Sequence, residues 1–165
     1  MLQNKVLKDT SRITPAVQTI LRPIQVKRMS GHLTKLRSDP VLKQDEPMEV
    51  QIVNMAAHPN PKYATEGASG MDLCANVTGT ILLAPNQWVL IPTGIHIALP
   101  KGVEAQIRSR SGMAAKRGVT VLNSPGTIDQ DYRGELKVLL MNFSDKIVTI
   151  RDGERIAQLA VTPYI

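Results

Sequence analysis

The chain has 165 residues, of which 42% are hydrophobic and 21% charged, and its formal net charge is +6. That is the length of about one domain with a buried core, and no run approaches the ~18 apolar residues of a membrane span. No apolar segment follows the basic start, and the single Cys74 cannot form an internal disulfide, which argues against secretion. We therefore expect an intracellular, cytoplasmic protein.

The positive charge is concentrated at the start of the chain. Residues 1–47 contain nine Lys or Arg and four Asp or Glu, which is five of the six net charges of the whole chain. The sequence therefore predicts a basic N-terminal extension, 1–47, followed by a folded domain, 48–165. The extension is expected to be a tail, a transit peptide or an arm that docks on another protein. Nucleic acid is a further possible partner, although the extension has no aromatic residue for base stacking.

A short helix is predicted within the extension. Thr14 suits the N-cap, Pro15 suits the first helical position, and Pro23 stops the pattern. Apolar residues recur at helical spacing before that stop: Ile13, Val17, Ile20 and Leu21. Such a helix is too short to be stable alone, so it would need a surface to pack against.

From residue 48 onward the sequence predicts short strands separated by Gly and Pro. They span 49–54, 71–76, 80–83, 87–91, 94–98, 103–108, 119–122, 135–142, 147–150 and 155–162. One helical turn is predicted at 112–117, with Gly118 as its C-cap. About ten strands and almost no helix indicate an all-β fold, either a compact barrel or a jelly roll.

Four polar clusters interrupt the strand pattern, and the first two precede or open regular elements. Residues 67–73 carry two glycines followed by Asp72, which suits either a turn or a ligand site. Residues 108–112 combine two Arg and two Ser with a Gly at the start of the helical turn. Guanidinium, hydroxyl and helix-start N–H groups suit phosphate oxygens, although a solvated basic loop has the same composition.

The third and fourth clusters are associated with turns between strands. Residues 123–134 read Asn-Ser-Pro-Gly-Thr-Ile-Asp-Gln-Asp-Tyr-Arg-Gly, the densest polar stretch of the chain, and are expected to form a hairpin between two strands. Residues 151–159 turn into a strand on which Gln158 lies between apolar neighbours. By itself that amide could simply face solvent.

In this order and spacing, the four clusters resemble conserved motifs one to four of the trimeric dUTPases, the deoxyuridine triphosphate nucleotidohydrolases. The matching segments are 67–73, 110–114, 123–134 and 153–159, and the resemblance extends from residue 48 to about 161. It implies a distorted jelly roll, a homotrimer with active sites between subunits, and Mg²⁺-dependent cleavage of dUTP to dUMP and diphosphate.

The resemblance also implies roles for individual residues. Asp129 would be the general base for the attacking water, Asn123 would bind the uracil edge, and Tyr132 would exclude a 2′-hydroxyl. The remaining implied contacts are Ile128 with the nucleoside, Arg110, Ser111, Gly112 and Gln158 with the phosphates, and Asp72 with the water shell of Mg²⁺. Asp131, Arg133 and Arg155 are expected to be structural ion-pair or turn residues.

The resemblance does not extend to the fifth motif of the family, a glycine-rich lid with an Arg and a Phe. Only residues 160–165 follow the fourth motif in this sequence, and they contain neither Gly nor Arg. This departure leaves a second hypothesis open, a dUTPase-fold trimer that serves as a structural component, for instance of a viral particle. A dCTP deaminase is disfavoured because the third cluster follows the hydrolase pattern.

Two smaller expectations concern single residues outside the motifs. Trp88 is expected in the core or at a subunit interface. His32, His58 and His96 lack partners at metal-ligand spacing, so no transition-metal site is expected.

Overall fold

The structure, a computed structural model, describes residues 17–22 and 48–164, which form twelve β-strands and one α-helix. The first six strands are β1 (Val17–Arg22), β2 (Met48–Asn54), β3 (Met71–Cys74), β4 (Thr80–Leu83), β5 (Trp88–Pro92) and β6 (Ile95–Ala98). They are followed by β7 (Val103–Arg108), helix α1 (Ser111–Arg117), β8 (Val119–Val121) and β9 (Gly126–Ile128). The last elements are β10 (Lys137–Asn142), β11 (Val148–Arg151) and β12 (Arg155–Pro163).

These strands pair antiparallel in four small sheets. Their orders are β1-β2-β6, β5-β10-β8, β11-β4 and β3-β12-β7-β9. Neighbours in a sheet are often far apart in sequence, as in β3 beside β12 and β5 beside β10. The expected all-β fold, a distorted jelly roll with one short helix, is confirmed.

The core is aliphatic because each strand alternates between an inward and an outward face. On β7, Val103, Ala105 and Ile107 are buried, whereas the intervening Glu104 and Gln106 are only partly covered. The same period of two places Val138 and Leu140 of β10 in the core with no exposed surface. With so few aromatic residues, Val, Ile and Leu fill most of the interior, as the composition predicts.

Helix α1 ends as the sequence predicts. Gly118 adopts the left-handed conformation with φ of 65°, and its N–H donates to the carbonyl of Ala114 at 3.0 Å. A Cβ at this position would lie 2.9 Å from the Cβ of Ser144, so both the backbone angle and the space require glycine.

The prediction of a helix within the extension is wrong for the residues that the structure describes. Val17–Arg22 is a strand that pairs antiparallel with β2, in a register that runs from Val17 opposite Val53 to Arg22 opposite Met48. The β-branched residues of this segment favour extended backbone, and the free edge of β2 supplies unpaired N–H and C=O groups. The proposed helix start at Thr14 and Pro15 lies outside the described residues.

The division of the chain at residue 47 stays a prediction. A strand from the basic extension is part of the same sheet as β2, so the two proposed regions share backbone hydrogen bonds. Among the described residues, no helix is long and apolar enough to cross a membrane.

Candidate active site

The first, second and fourth polar clusters meet at one end of the sheet β3-β12-β7-β9. Asp72 on β3 lies opposite Gln158 on β12, and Gln158 lies opposite Arg108 on β7. Directly opposed residues of an antiparallel pair project from the same face, so these three side chains form one row across the sheet. Arg110, two residues beyond the end of β7, immediately follows this row.

The carboxylate of Asp72 binds two guanidinium groups. Arg110 Nε donates to Asp72 Oδ1 at 2.8 Å, and Arg155 Nη1 donates to Oδ2 at 3.1 Å. Arg110 Nη1 also donates to the backbone carbonyl of Arg155 at 3.1 Å. The side chains of Asp72 and Arg110 are 22% and 24% exposed, whereas that of Arg155 is 62% exposed, so the first pair is the stronger contact. Arg155 has the ion-pair role that the sequence predicts.

Gln158 does not point freely into solvent, because it lies against the first cluster. A Cβ on Gly70 would be 3.3 Å from the Cβ of Gln158, a tighter contact than most side chains make. The glycine of the first cluster therefore provides the space that the fourth-cluster amide occupies. The side chain of Gln158 is partly exposed and is available for a ligand at this face.

The start of α1 forms an open surface next to these residues. Arg110 is the N-cap residue, and Ser111 and Gly112 are exposed. Apart from its chain neighbours and the helix's own backbone, no atom lies within 4 Å of the position that a Cβ on Gly112 would occupy. The first turn of a helix has N–H groups without intrahelical partners, and at Gly112 neither a side chain nor another part of the described chain covers this turn.

The third cluster forms a loop between β8 and β10, which pair with each other through Leu140 and Val121. Within this loop β9 pairs with β7, with Gly126 opposite Ile107. The expected hairpin is therefore present, but its middle is part of a second sheet. The side chain of Asn123 lies beside Gly126, where a Cβ would be 3.1 Å from its Nδ2.

The tip of this loop contains the two predicted functional side chains, which are both exposed. The N–H of Tyr132 donates to the carbonyl of Asp129 at 3.1 Å, which closes a tight turn. The Tyr132 ring packs over Gly134, and its hydroxyl donates to the carbonyl of Glu135 at 2.9 Å. The phenol is thus held by its hydroxyl and by its packing on Gly134, while the Asp129 side chain is exposed.

Other residues of the third cluster have structural contacts. Arg133 Nη1 donates to the carbonyls of Gln130 at 2.7 Å and Tyr132 at 2.8 Å, in keeping with its predicted turn role. Ile128 packs against the hydrophobic core. Because its side chain faces inward, contact of Ile128 with a ligand would have to involve its backbone.

Ser109 joins the second cluster to the third, a role that the sequence did not reveal. Its hydroxyl is hydrogen-bonded to Thr120 and accepts the N–H of Val121 at 3.0 Å. Its own N–H donates to the hydroxyl of Ser124 at 3.3 Å. A serine among arginines looks like a phosphate ligand in sequence, and only the pairing of distant strands distinguishes it from Ser111.

The predicted site residues of one chain lie in two groups. Asp72 lies on the edge strand β3 and Gln158 on the adjacent β12, whereas the loop with Asp129 and Tyr132 leaves from β9 at the opposite edge. Arg110 follows β7, and its guanidinium reaches Asp72. Three strand spacings separate these edges, or roughly 14 Å. One group offers cations and backbone donors, and the other offers a free carboxylate, an amide and a phenol.

Cys74 lies on the same face of β3 as Asp72. Burial raises the pKa of the Cys74 thiol, and the neighbouring Asp72 carboxylate raises this pKa further, while Arg155 and Arg110 lower it. The thiol therefore stays protonated near neutral pH, which makes it a poor nucleophile.

The residues that the structure describes include no group of three or more His, Cys, Asp or Glu placed to hold a metal ion. Each carboxylate oxygen of Asp72 accepts one described hydrogen bond and has capacity for another. Asp72 could therefore accept a hydrogen bond from a water bound to a metal ion that a ligand holds. Together with the other described residues it does not form a metal site made of protein side chains alone.

A cavity of about 380 Å³ lies away from this row, on the outer face of β2 and β6. It is lined by Gln51, Val53, Met55, His96, Ile97, Ala98 and Arg133. Of the residues that line this cavity, Arg133 alone belongs to the four polar clusters. The candidate site is therefore the row of polar side chains together with the loop 123–134, and not this cavity.

The comparisons with known proteins agree with the fold and with the family that the sequence resembles. A family profile described as dUTPase matches residues 56–165. The deoxyuridine 5'-triphosphate nucleotidohydrolase of Cytophaga hutchinsonii is 58% identical over 112 residues, which are 68% of this chain and 73% of that protein. The protein of the same description from a Hydrogenobaculum species is 61% identical over 105 residues, 64% of this chain and 72% of that protein.

Solved structures are similar at the level of the fold. The dUTPase from Streptococcus mutans superposes with a TM-score of 0.62 at 27% identity and covers 69% of this chain and 95% of that one. A dUTPase from phage phi11 of S. aureus superposes with a TM-score of 0.61 at 21% identity, covering 70% of this chain and 90% of that one.

Proposed function

Because this chain belongs to the dUTPase family, we propose that it is a dUTP diphosphatase, which hydrolyses dUTP to dUMP and diphosphate. The observation that carries the proposal is the meeting of three polar clusters around Asp72, in a chain that matches the family over residues 56–165. The third cluster, residues 123–134, adds a loop with an exposed carboxylate at Asp129 and a phenol at Tyr132 whose hydroxyl is hydrogen-bonded.

Asp129 is the proposed general base. Water attacks the α-phosphorus, its proton passes to the Asp129 carboxylate, and the bond from the α-phosphorus to the bridging oxygen of the β-phosphate breaks, so that diphosphate leaves. The exposure of Asp129 supports this role, because a base must be able to reach a water. A positioned base contributes about 10²- to 10⁴-fold, so the phosphate contacts must supply most of the remaining rate.

Asn123, Tyr132 and Ile128 are proposed to bind the nucleoside. The Asn123 amide can both donate and accept, as recognition of the uracil edge requires. The Tyr132 ring would lie against the deoxyribose and leave no room for a 2′-hydroxyl. Support comes from the hydrogen bond of its hydroxyl to Glu135 and from the packing of the ring on Gly134, because a ring excludes a hydroxyl only if it stays in place. Ile128 would contribute backbone contacts.

Arg110, Ser111, Gly112 and Gln158 are proposed to bind the triphosphate. The open space over Gly112 leaves room for a phosphate close to the helix backbone. The Asp72 pair orients Arg110, so the guanidinium is aligned before the ligand arrives. These contacts would stabilise charge on the oxygens of the leaving diphosphate.

Mg²⁺ is the proposed cofactor, held mainly by the substrate phosphates, and Asp72 would accept a hydrogen bond from one of its waters. When bound, the ion neutralises phosphate charge. The spare acceptor capacity of Asp72 supports this arrangement.

A homotrimer with active sites between subunits is the proposed assembly. Within one chain, Asp72 on β3 and the loop that leaves β9 are at opposite edges of one sheet, three strand spacings or roughly 14 Å apart, which is in keeping with shared sites. The basic extension is proposed to dock on another protein, and the single Cys74 supports an intracellular location.

The proposal is tested by incubating the full chain and Mg²⁺ with dUTP, UTP, dTTP or dCTP and measuring diphosphate and the monophosphate. We expect selective cleavage of dUTP, and loss of at least ~100-fold in kcat in Asp129→Asn with an unchanged melting temperature. A trimer that never cleaves dUTP at high protein concentration would contradict the enzyme and favour a structural component. Release of ammonia from dCTP would indicate a deaminase.

A further inference from the structure

Gln130 is the half-buried residue at the tip of the loop 123–134, between exposed neighbours at 129 and 131–133. Among the described residues, the side chains of Asp129 and Asp131 form no hydrogen bond with another part of the domain. The side chain of Gln130 does form such bonds. This one amide therefore connects the segment that contains the candidate base to the rest of the domain.

Two segments that are distant in the chain bind the Gln130 amide. Its oxygen Oε1 accepts the N–H of Gly102 at 3.2 Å and the hydroxyl of Tyr164 at 3.3 Å. The N–H of Tyr164 donates to the carbonyl of Gly102 at 3.0 Å, so the three residues form a closed set of hydrogen bonds. An amide oxygen has two lone pairs, and both are used here. The local sequence does not reveal this role, because the partners are 28 and 34 positions away.

Both partners adjoin the two central strands of the sheet β3-β12-β7-β9. Gly102 immediately precedes β7, and Tyr164 immediately follows β12. These strands are paired along the length of β7, up to Pro163 opposite Val103. The loop tip is thus attached to the ends of two strands that hold each other in register.

The other side of the loop has contacts of its own. The Tyr132 hydroxyl donates to the carbonyl of Glu135, and Glu135 Oε1 accepts the N–H of Gly94 at 2.8 Å. These bonds do not involve Gln130. Loss of the Gln130 contacts should therefore loosen Asp129 more than Tyr132.

We propose that Gln130 is a positioning residue for the hydrolysis of dUTP, which fixes the loop tip so that the Asp129 carboxylate stays in reach of the attacking water. A general base acts only within hydrogen-bond distance of the proton that it takes, and a misplacement of about 1 Å can cost roughly 100-fold. The inference rests on the proposed function for the role of Asp129, whereas the anchor rests on the hydrogen bonds of Gln130 themselves.

The geometry also predicts which kinetic parameters change. Both hydrogen bonds of Gln130 are at the long end of the usual range, so their loss should displace the tip without unfolding the domain. The proposed contacts of Asn123 with uracil and of Arg110 with phosphate lie outside the tip. We therefore expect the loss in kcat, while KM and the preference for dUTP over UTP stay close to those of the parent.

The test compares Gln130→Leu, which has no acceptor, with Gln130→Glu, which keeps an acceptor oxygen, in the full chain with Mg²⁺. In Gln130→Leu we expect kcat for dUTP to fall at least ~10-fold, with KM and the preference over UTP within ~3-fold. In Gln130→Glu kcat should stay within ~3-fold of the parent. An unchanged kcat in Gln130→Leu, an equal loss in both variants, or a parallel loss of selectivity overturns the inference.

Ser144→Ala is the matched control for the loss of side-chain hydrogen bonds in a turn. The Ser144 hydroxyl donates to Asn142 Oδ1 at 2.7 Å and accepts the N–H of Lys146 at 3.3 Å, outside the four polar clusters. Its melting temperature should fall about as much as that of Gln130→Leu, with kcat unchanged. A comparable fall of kcat in Ser144→Ala would show that stability and not position limits the rate, which overturns the inference.

Hydrogen exchange of the Gly102 amide, followed by NMR, provides a readout that does not depend on catalysis. This amide should exchange at least ~10-fold faster in Gln130→Leu than in the parent or in Gln130→Glu, and equal protection in all three overturns the anchor. If Gln130→Leu does not fold, Gln130→Asn replaces it, because its side chain is one methylene shorter. A parent that cleaves no dUTP contradicts the proposed function, and the exchange of Gly102 then decides whether the anchor stands.

Discussion

Replacing Asp72 with Asn tests the contact that joins three of the four polar clusters. The amide keeps the size of the side chain but removes the negative charge that Arg110 and Arg155 share. Only one of the two carboxylate oxygens is retained as an acceptor, so one guanidinium loses its partner.

The size of the effect follows from exposure. A hydrogen bond to a charged group contributes about 1.5–3 kcal/mol when buried, and an exposed ion pair contributes about 0.2–1 kcal/mol. The Asp72–Arg110 pair, about a quarter exposed, lies between these limits, while the more exposed Arg155 adds little. We expect the free energy of unfolding to fall by about 1–2 kcal/mol, or ~2–8 °C in melting temperature for a chain of this size.

Catalysis should lose more than stability, because an Arg110 that is free to move no longer meets the phosphates in one orientation. Misplacement of about 1 Å can cost roughly 100-fold, and we expect kcat/KM for dUTP to fall by that order in Asp72→Asn. In Arg155→Gln, which keeps the Asp72–Arg110 pair, the loss should stay below ~10-fold. Steady-state kinetics at increasing Mg²⁺ separate the two proposed roles of Asp72.

If Asp72 mainly orients Arg110, added Mg²⁺ should not restore kcat/KM. Recovery of most of the rate at high Mg²⁺ would show that the carboxylate acts on the metal's water shell. An Asp72→Asn variant with unchanged melting temperature and unchanged kcat/KM would refute the reasoning, since the ion pair would then contribute neither to stability nor to catalysis.

Three further outcomes are expected. Tyr132→Ala should reduce the preference for dUTP over UTP by about 10- to 100-fold in competition assays, because the wall against the 2′-hydroxyl is removed; unchanged selectivity would argue against that wall. Gly118→Ala should lower the melting temperature by several degrees, since a Cβ would meet Ser144 at 2.9 Å and the backbone has φ of 65°. The hydrogen bond from His58, followed by the N–H of residue 77, lowers the pKa of Asp152 below its ordinary value of 3.8. A lowered pKa stabilises the fold above pH 3.8, and this stabilisation is lost as the pH falls through and below that value. Asp152→Asn should therefore flatten the acid limb of the melting-temperature profile, and an identical limb would contradict the contribution of this pair.

Much of the fold is readable from local sequence. The alternation of β7, the glycine that ends α1 and the strand at 80–83 agree with their predicted positions because each depends on residues close together in the chain. Val17–Arg22 is the exception. Its apolar spacing fits a helix as well as a strand, and the unpaired edge of β2, 26 or more residues away, makes it a strand.

The candidate site divides in the same way. The four clusters and their order are properties of the sequence, and so is the family to which they belong. The sequence could not show that Asp72 binds Arg110 and Arg155, because these residues are 38 and 83 positions from it. It also could not separate Ser109, held by Thr120, from the exposed Ser111 two positions later.

The sequence by itself determined the strand pattern, the turns and the set of polar side chains, because these follow from local backbone preference and from period-two burial. Tertiary structure decided which clusters meet, which polar groups are already engaged and which apolar side chains stay exposed. Those outcomes depend on pairing between strands far apart in the chain, and Trp88 is an example. Its strand is evident from its neighbours, but its exposure follows from the arrangement of the sheet around it.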